Sequence, residues 1–257
     1  MIFADLVLAR RLEAAEAANA RGCSALEGTA VLEVAGGWVI FAGADSPLTQ
    51  AVGIGLHGPV RRTELEAIEA FLGSRGARVS LDVCPLAHTS LMEGLAARGY
   101  RLTEFNNTMV KILAGSEMVF TPRVRRAVMA DSELWSYTVG RGFFEQAELT
   151  TAEMDVGRAI YSMPEALCYL AATEHGQPAG GGAMAVQGGL ALLFADSTIE
   201  QFRRQGLQRE LIAARLNEAR ARGCDLAMAS TTPGSSSQRN YERMGFQVAY
   251  TKVTMVG

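Results

Sequence analysis

Apolar and polar positions alternate in RVRRAVMA (123–130), the period of a half-buried strand. The spacing then lengthens, and SELWSYTVGRGFF (132–144) and TTAEMDVGRAIYSM (150–163) read as helices. Asp131-Ser132 can cap the first. Thr150 or Thr151 can cap the second, with Pro164 beyond its end. Residues 166–199 are apolar runs broken at His175-Gly-Gln-Pro178 and at Gln187-Gly-Gly189, which predicts three strands joined by hairpin turns. A glycine turn at 206 opens the amphipathic helix LQRELIAARLNEARARG, with Gly223 as its stop. The strand CDLAMAST, the helix QRNYERM and the strand FQVAYTKVTMV complete an order of β-α-α-β-β-β-α-β-α-β.

The first half repeats part of this order. GYRLTEFNNTMV (99–110) lies over GFQVAYTKVTMV (245–256) at an offset of 146 residues, and ELEAIEAFL (64–72) lies over ELIAARLNE (210–218). Between these anchors each half carries an apolar strand and a second helix, so the chain reads as two copies of one unit. Gly115, Ser116 and Pro122 interrupt the periodicity of KILAGSEMVFTPRV, which sets the expected domains at 1–115 and 120–257.

Composition narrows the function classes. Nearly half of the 257 residues are apolar and a fifth are charged, enough for packed cores. A net charge of −3 argues against a nucleic-acid partner held by bulk electrostatics. Cys23, Cys84, Cys168 and Cys224 form no C-x-x-C pair and read as reduced core thiols. Three scattered histidines give no metal-ligand spacing. There is no signal-peptide order at the N-terminus and no apolar run long enough for a membrane span, so the expectation is a cytoplasmic protein with no metal and no membrane partner.

The candidate chemistry lies in FRRQGLQRELI (202–212). A helix N-terminus offers unpaired amides and a positive dipole end, and a glycine there lets an anion approach. Arg203, Arg204 and Arg209 add attraction. Arg203-x-x-Gly206-x-Gln208 after a strand, followed by Tyr241-Glu-Arg-Met-Gly245-Phe246, resembles the GNAT superfamily of acetyl-coenzyme A-dependent N-acyltransferases over residues 120–257. The resemblance implies an α/β fold, with mixed, mostly antiparallel sheets flanked by helices in two tandem GNAT-like domains. It further implies that the amides of Arg204, Gln205, Gly206, Leu207, Gln208 and Arg209 bind the coenzyme diphosphate, and that strand 190–198, through Ser197 and Thr198, pairs with the pantetheine arm. Gln208 stands where a small residue is usual, and Glu200 where many members carry proline.

At that spacing the resemblance puts Tyr241 beside the coenzyme sulfur, where a phenol can protonate the departing thiolate. Asp196 and Glu145 are the candidate general bases, or a water held by backbone groups takes that part. An N–H near Phe194 or Ala195 would polarise the thioester carbonyl. Ser237 and Asn240 are candidates either for pantetheine contact or for helix capping. In the first half, His57-Gly-Pro-Val60 falls opposite the phosphate loop and Leu95 opposite Tyr241, so that copy reads as degenerate and structural, without coenzyme binding through its own loop. The expected function is direct acetyl transfer to a small-molecule or peptide amine. The alternative is a non-catalytic acyl-coenzyme A-binding or sensing protein. A P-loop hydrolase is disfavoured because no G-K-[ST] follows the glycine. Chain length does not decide oligomeric state, and a homodimer is compatible with it.

Overall fold

A computed structural model describes residues 4–25, 28–115 and 118–257. Ser116, used above to place the domain boundary, lies outside them. The chain divides into two compact units. The first comprises the described residues of Met1–Thr108 with Thr231–Pro233 and Val248–Gly257. The second comprises those of Met109–Ser230 with Gly234–Gln247.

The first unit holds α1 (Leu6–Arg21), β1 (Ala30–Val34), β2 (Gly37–Phe41), β3 (Gln50–Val52), α2 (Arg62–Gly73), β4 (Ser80–Val83) and α3 (Thr89–Ala97). It also takes most of β5 (Arg101–Ile112) and of β11 (Gln247–Val256), in the strand order β1-β2-β3-β4-β11-β5. β3 and β4 run parallel, with Ala51 opposite Leu81. Val39, Leu65, Ile68, Leu72, Leu81 and Leu95 fill its core.

β11 departs from the expected division at 115/120. It is the last strand of the chain, yet it pairs antiparallel with β4, Val253 opposite Val83 and Val256 opposite Ser80. The Tyr250 hydroxyl donates to Glu13 at 2.7 Å, and Lys252 sits 3.6 Å from Glu13 and 4.0 Å from Asp82. Burial pushes Glu13 up to about 7, with Lys252 opposing. A linear boundary cannot anticipate this, because strand pairing is non-local.

The second unit holds β6 (Val124–Arg126), α4 (Ser132–Phe143), α5 (Thr151–Ser162), β7 (Leu167–Ala172), β8 (Pro178–Gln187), β9 (Leu190–Thr198), α6 (Leu207–Ala221), β10 (Leu226–Thr231) and α7 (Ser236–Arg243). Its strands run β5-β10-β9-β8-β7-β6. β10 is parallel to β9, and the β9–β8, β8–β7 and β7–β6 pairs are antiparallel. Every element expected from the periodicity of residues 123–256 is present, in the expected order. Thr150 caps α5 by taking the Glu153 N–H, while the Glu153 carboxylate takes the Thr150 N–H at 2.8 Å. The Asp131 cap differs. Its carboxylate takes the Val128 N–H at 2.8 Å and both terminal guanidinium nitrogens of Arg125, and it makes no cap bond to α4.

Candidate active site

The site is built where β9 parts from β10. β10 keeps register with β9 only from Leu226–Leu190 to Ala229–Leu193. On the other side Ala183 faces Phe194 but Gly181 faces Ser197, so β9 carries one extra residue. Ala195 takes up that bulge at φ 54°, a left-handed conformation costly for a residue with a Cβ. Pairing with β8 resumes beyond the bulge at Gly181–Ser197 and Gly180–Thr198, while the edge of residues 194–198 has no β10 partner in register.

Beyond β9 the chain turns through Arg204 at φ 65° and Gly206 at φ 81° into α6. Gly206 is the N-cap and has no side chain to cap with. The first-turn amides of Leu207, Gln208 and Arg209 therefore lack intrahelical acceptors, at the positive end of a helix of 15 residues. Residues 203–206 are exposed, and a Cβ built on Gly206 would meet only the Arg123 guanidinium, at 3.5 Å. Arg123 shapes this loop. Its Nη2 donates to the Gln205 carbonyl at 2.9 Å, and its Nε donates to Glu210 at 2.8 Å. A trans peptide holds C=O and N–H on opposite sides, so pinning the Gln205 carbonyl also fixes the direction of the Gly206 N–H.

The three arginines divide the work differently from the sequence expectation. Arg203 is engaged within the protein, with Nε on the Thr198 carbonyl (3.1 Å) and Nη2 on Gly142 O (3.2 Å) and Glu145 (2.8 Å). Arg204 and Arg209 are exposed and form no ion pair among the described residues. Glu145 sits at φ 56° with its side chain 60% exposed, so the structure ties it to the loop through Arg203. Gln208 reaches to α7. Its Nε2 donates to the Ser237 hydroxyl at 3.0 Å, and its Oε1 accepts from Asn240 Nδ2 at 2.6 Å. A small residue could not make this bridge. The cap of α7 is Ser235, not Ser237.

Behind the bulge lies a buried charge cluster. Arg215, on α6, is fully buried and pairs through both terminal nitrogens with Asp196. The Tyr241 hydroxyl, from α7, donates to Asp196 Oδ2. Arg215 also donates to Leu211 O and Ala183 O, each at 3.0 Å. Burial raises the Tyr241 pKa well above its ordinary value, and the Asp196 charge adds to the rise. Burial works against the Arg215 charge, but Asp196 and Tyr241 outweigh it and lift its pKa. Gly182 makes room for the pair: a Cβ there would stand 2.9 Å from Arg215 Nη1 and 3.2 Å from Asp196 Oδ1. The sequence reading missed Arg215, although Leu207, Leu211 and Arg215 recur every four residues along one helix stripe. A charge on that apolar stripe was the available signal.

Residues 131–246 match the acetyltransferase (GNAT) family model. This segment is a GNAT domain. No curated protein matches the chain. Among solved structures, a GCN5-related N-acetyltransferase from Kribbella flavida is 18% identical, covers 97% of this chain and 95% of its own, and superposes with a TM-score of 0.69. A tandem GNAT protein from the clavulanic acid biosynthesis pathway is 14% identical over 100% of this chain and 96% of its own, with a TM-score of 0.61. A GCN5-related N-acetyltransferase from Sphaerobacter thermophilus is 15% identical over 89% and 75%, with a TM-score of 0.59. At these identities the likeness is one of fold, and the tandem neighbour supports a two-domain architecture.

The GNAT domain also carries an open depression of about 790 Å³ bordered by Arg123, Arg125, Leu170, Glu174 and Glu210. None of residues 194–209 lines it. All four cysteines are buried and unbridged, and burial pushes Cys168 up to about 12, far from the range of a nucleophilic thiolate. No helix among the described residues is long and apolar enough to cross a membrane.

Proposed function

We propose that the GNAT domain is an acetyl-coenzyme A-dependent N-acetyltransferase that passes the acetyl group directly to an amine. The observation that carries this reading is the uncapped, exposed N-terminus of α6 beside a bulged strand that parts from its parallel neighbour. An anion of the diphosphate class fits the free amides of residues 204–209, the open space at Gly206, and the exposed charges of Arg204 and Arg209. The backbone of residues 194–198 is the proposed track for an extended arm, with the amides of Phe194 or Ala195 facing the carbonyl oxygen. Bound there, the coenzyme supplies an activated thioester.

The domain's own residues handle the protons. Tyr241 is the proposed acid for the departing sulfur. Asp196 is the group with which it exchanges that proton, since the two already share a hydrogen bond. Glu145 is committed to Arg203 and acts on loop geometry, not as a base. The acceptor is an amine on a small molecule or a peptide.

Calorimetric titration with acetyl-coenzyme A, followed by thiol-release assays over an amine panel, tests the reading. Saturable binding and amine-dependent thiol release are expected. Tyr241→Phe should lower kcat by roughly 10²-fold or more, the scale of a lost general acid, with coenzyme affinity unchanged. Binding without thiol release from any amine identifies an acyl-coenzyme A-binding protein instead.

A further inference from the structure

We infer that Arg215 is a positioning residue for acyl transfer: by gripping both oxygens of Asp196 it holds an Asp196–Tyr241 pair that carries the amine's proton to the departing sulfur. This inference rests on the acetyltransferase reading and adds a residue and a proton route to it.

Three features of the chain are shaped around the charge. Arg215 takes a place on an apolar stripe whose neighbours in the same register are Leu207 and Leu211, both buried. Gly182 leaves the space that the guanidinium and the carboxylate fill. Ala195 adopts a left-handed conformation immediately before Asp196. A buried ion pair is seldom more stabilising than apolar residues of the same volume, so stability alone is a weak reason to keep it.

The direction of the hydrogen bonds sets the route. The Tyr241 proton is given to Asp196, and Arg215 faces the phenol oxygen from one side, which leaves that oxygen one further lone pair with which to accept. As the amine nitrogen bonds to the acyl carbon, its proton passes to Tyr241 Oη while the phenol proton passes to Asp196 Oδ2. When the carbon–sulfur bond breaks, the thiolate takes a proton from Tyr241 Oη, and Asp196 returns its proton to the phenol. The amine has lost one proton, the thiolate has gained one, and both side chains end as they began. Arg215 stays charged throughout and holds both Asp196 oxygens, so the carboxylate keeps its alignment with the phenol.

Three variants test this, each checked for folding by circular dichroism. Arg215→Met should lower kcat by about 100-fold with the KM for acetyl-coenzyme A within about threefold of wild type, the signature of a lost transition-state interaction. Its kcat-against-pH profile should differ from wild type on the acid side, because Asp196 loses its ion-pair partner. Arg215→Lys keeps a cation and should recover part of the rate. Asp196→Asn is read without turnover, by near-ultraviolet titration of tyrosinate with Tyr241→Phe as the blank. With the carboxylate charge gone and Arg215 retained, the phenol should ionise at lower pH than in the wild type. Should Asp196→Asn not fold, the acid limbs of the two Arg215 variants decide.

A wild-type pH profile and KM in Arg215→Met, or an unmoved phenol titration in Asp196→Asn, overturns the role of Arg215. Absence of thiol release from the wild-type protein overturns the acetyltransferase reading itself, while the phenol titration still reports whether the three groups are electrically coupled.

Discussion

Two helices in this chain open after a strand and a turn, and their first turns are finished in opposite ways. At α2 the protein satisfies itself. Glu64 accepts the Arg61 N–H at 2.7 Å and pairs with the Arg61 guanidinium at 3.2 Å, placing a carboxylate at the positive end of the helix. The Ser90 hydroxyl takes the Val60 N–H at 2.8 Å, and Pro59 has none to offer. At α6 the cap is a bare glycine, the preceding residues are exposed, and Arg123 holds the loop from behind by its Gln205 carbonyl. The same local architecture therefore yields a closed helix end in one unit and an open one in the other. What separates them is a handful of side chains that either take up the amides leading into the helix or leave those amides for an anion.

The sharpest way to break the comparison is Gly206→Val. A β-branched residue is strained at φ 81°, and its branches would occupy the space the glycine leaves open beside Arg123. Acetyl-coenzyme A affinity measured by calorimetry should fall about 100-fold, or about 2.7 kcal/mol. Unchanged affinity would place the coenzyme elsewhere and remove the significance of the open helix end.

Arg123→Met leaves the glycine in place and releases the Gln205 carbonyl. The loop then loses its fixed direction, and affinity should weaken by about tenfold, or about 1.4 kcal/mol, with kcat at saturation preserved. A fall in kcat at saturation would show that Arg123 does more than shape the loop.

The smallest effect belongs to the closed end. Glu64→Gln should destabilise the protein by about 0.5–1 kcal/mol, the scale of a helix cap, and leave coenzyme affinity untouched. The Arg61 backbone N–H, and then its side chain, hold the Glu64 carboxyl below its ordinary 4.5. Its stabilisation is thus complete above that ordinary value and disappears as pH falls through the lower folded value. Denaturant titrations of wild type and variant should converge across that acid window and stay apart above it.

The second half was legible because its elements are locally signalled. Thr150 and Glu153 form a capping box, Gly223 stops α6 at φ 74°, and the hairpin turns carry their glycines. The open N-terminus of α6 was legible for the same reason: a strand, a glycine and an amphipathic helix in succession specify a helix N-terminus. Asp196 and Tyr241 were both named, but their hydrogen bond was not foreseeable, since 45 residues separate them. Arg203 and Glu145 were given separate roles, and the fold joins them. Ser237 and Asn240 were left between ligand contact and capping, and Gln208 from another helix engages both.

The sequence by itself determined the elements of residues 123–256, their order and the glycine-opened helix, because these follow from periodicity, capping and backbone freedom within a few residues. Tertiary structure alone decided where β11 pairs, which loop arginine is tied to Glu145, and that Arg215, Asp196 and Tyr241 meet behind a strand bulge. Those outcomes depend on which distant groups desolvate one another, and a charge finds its partner in space, not along the chain.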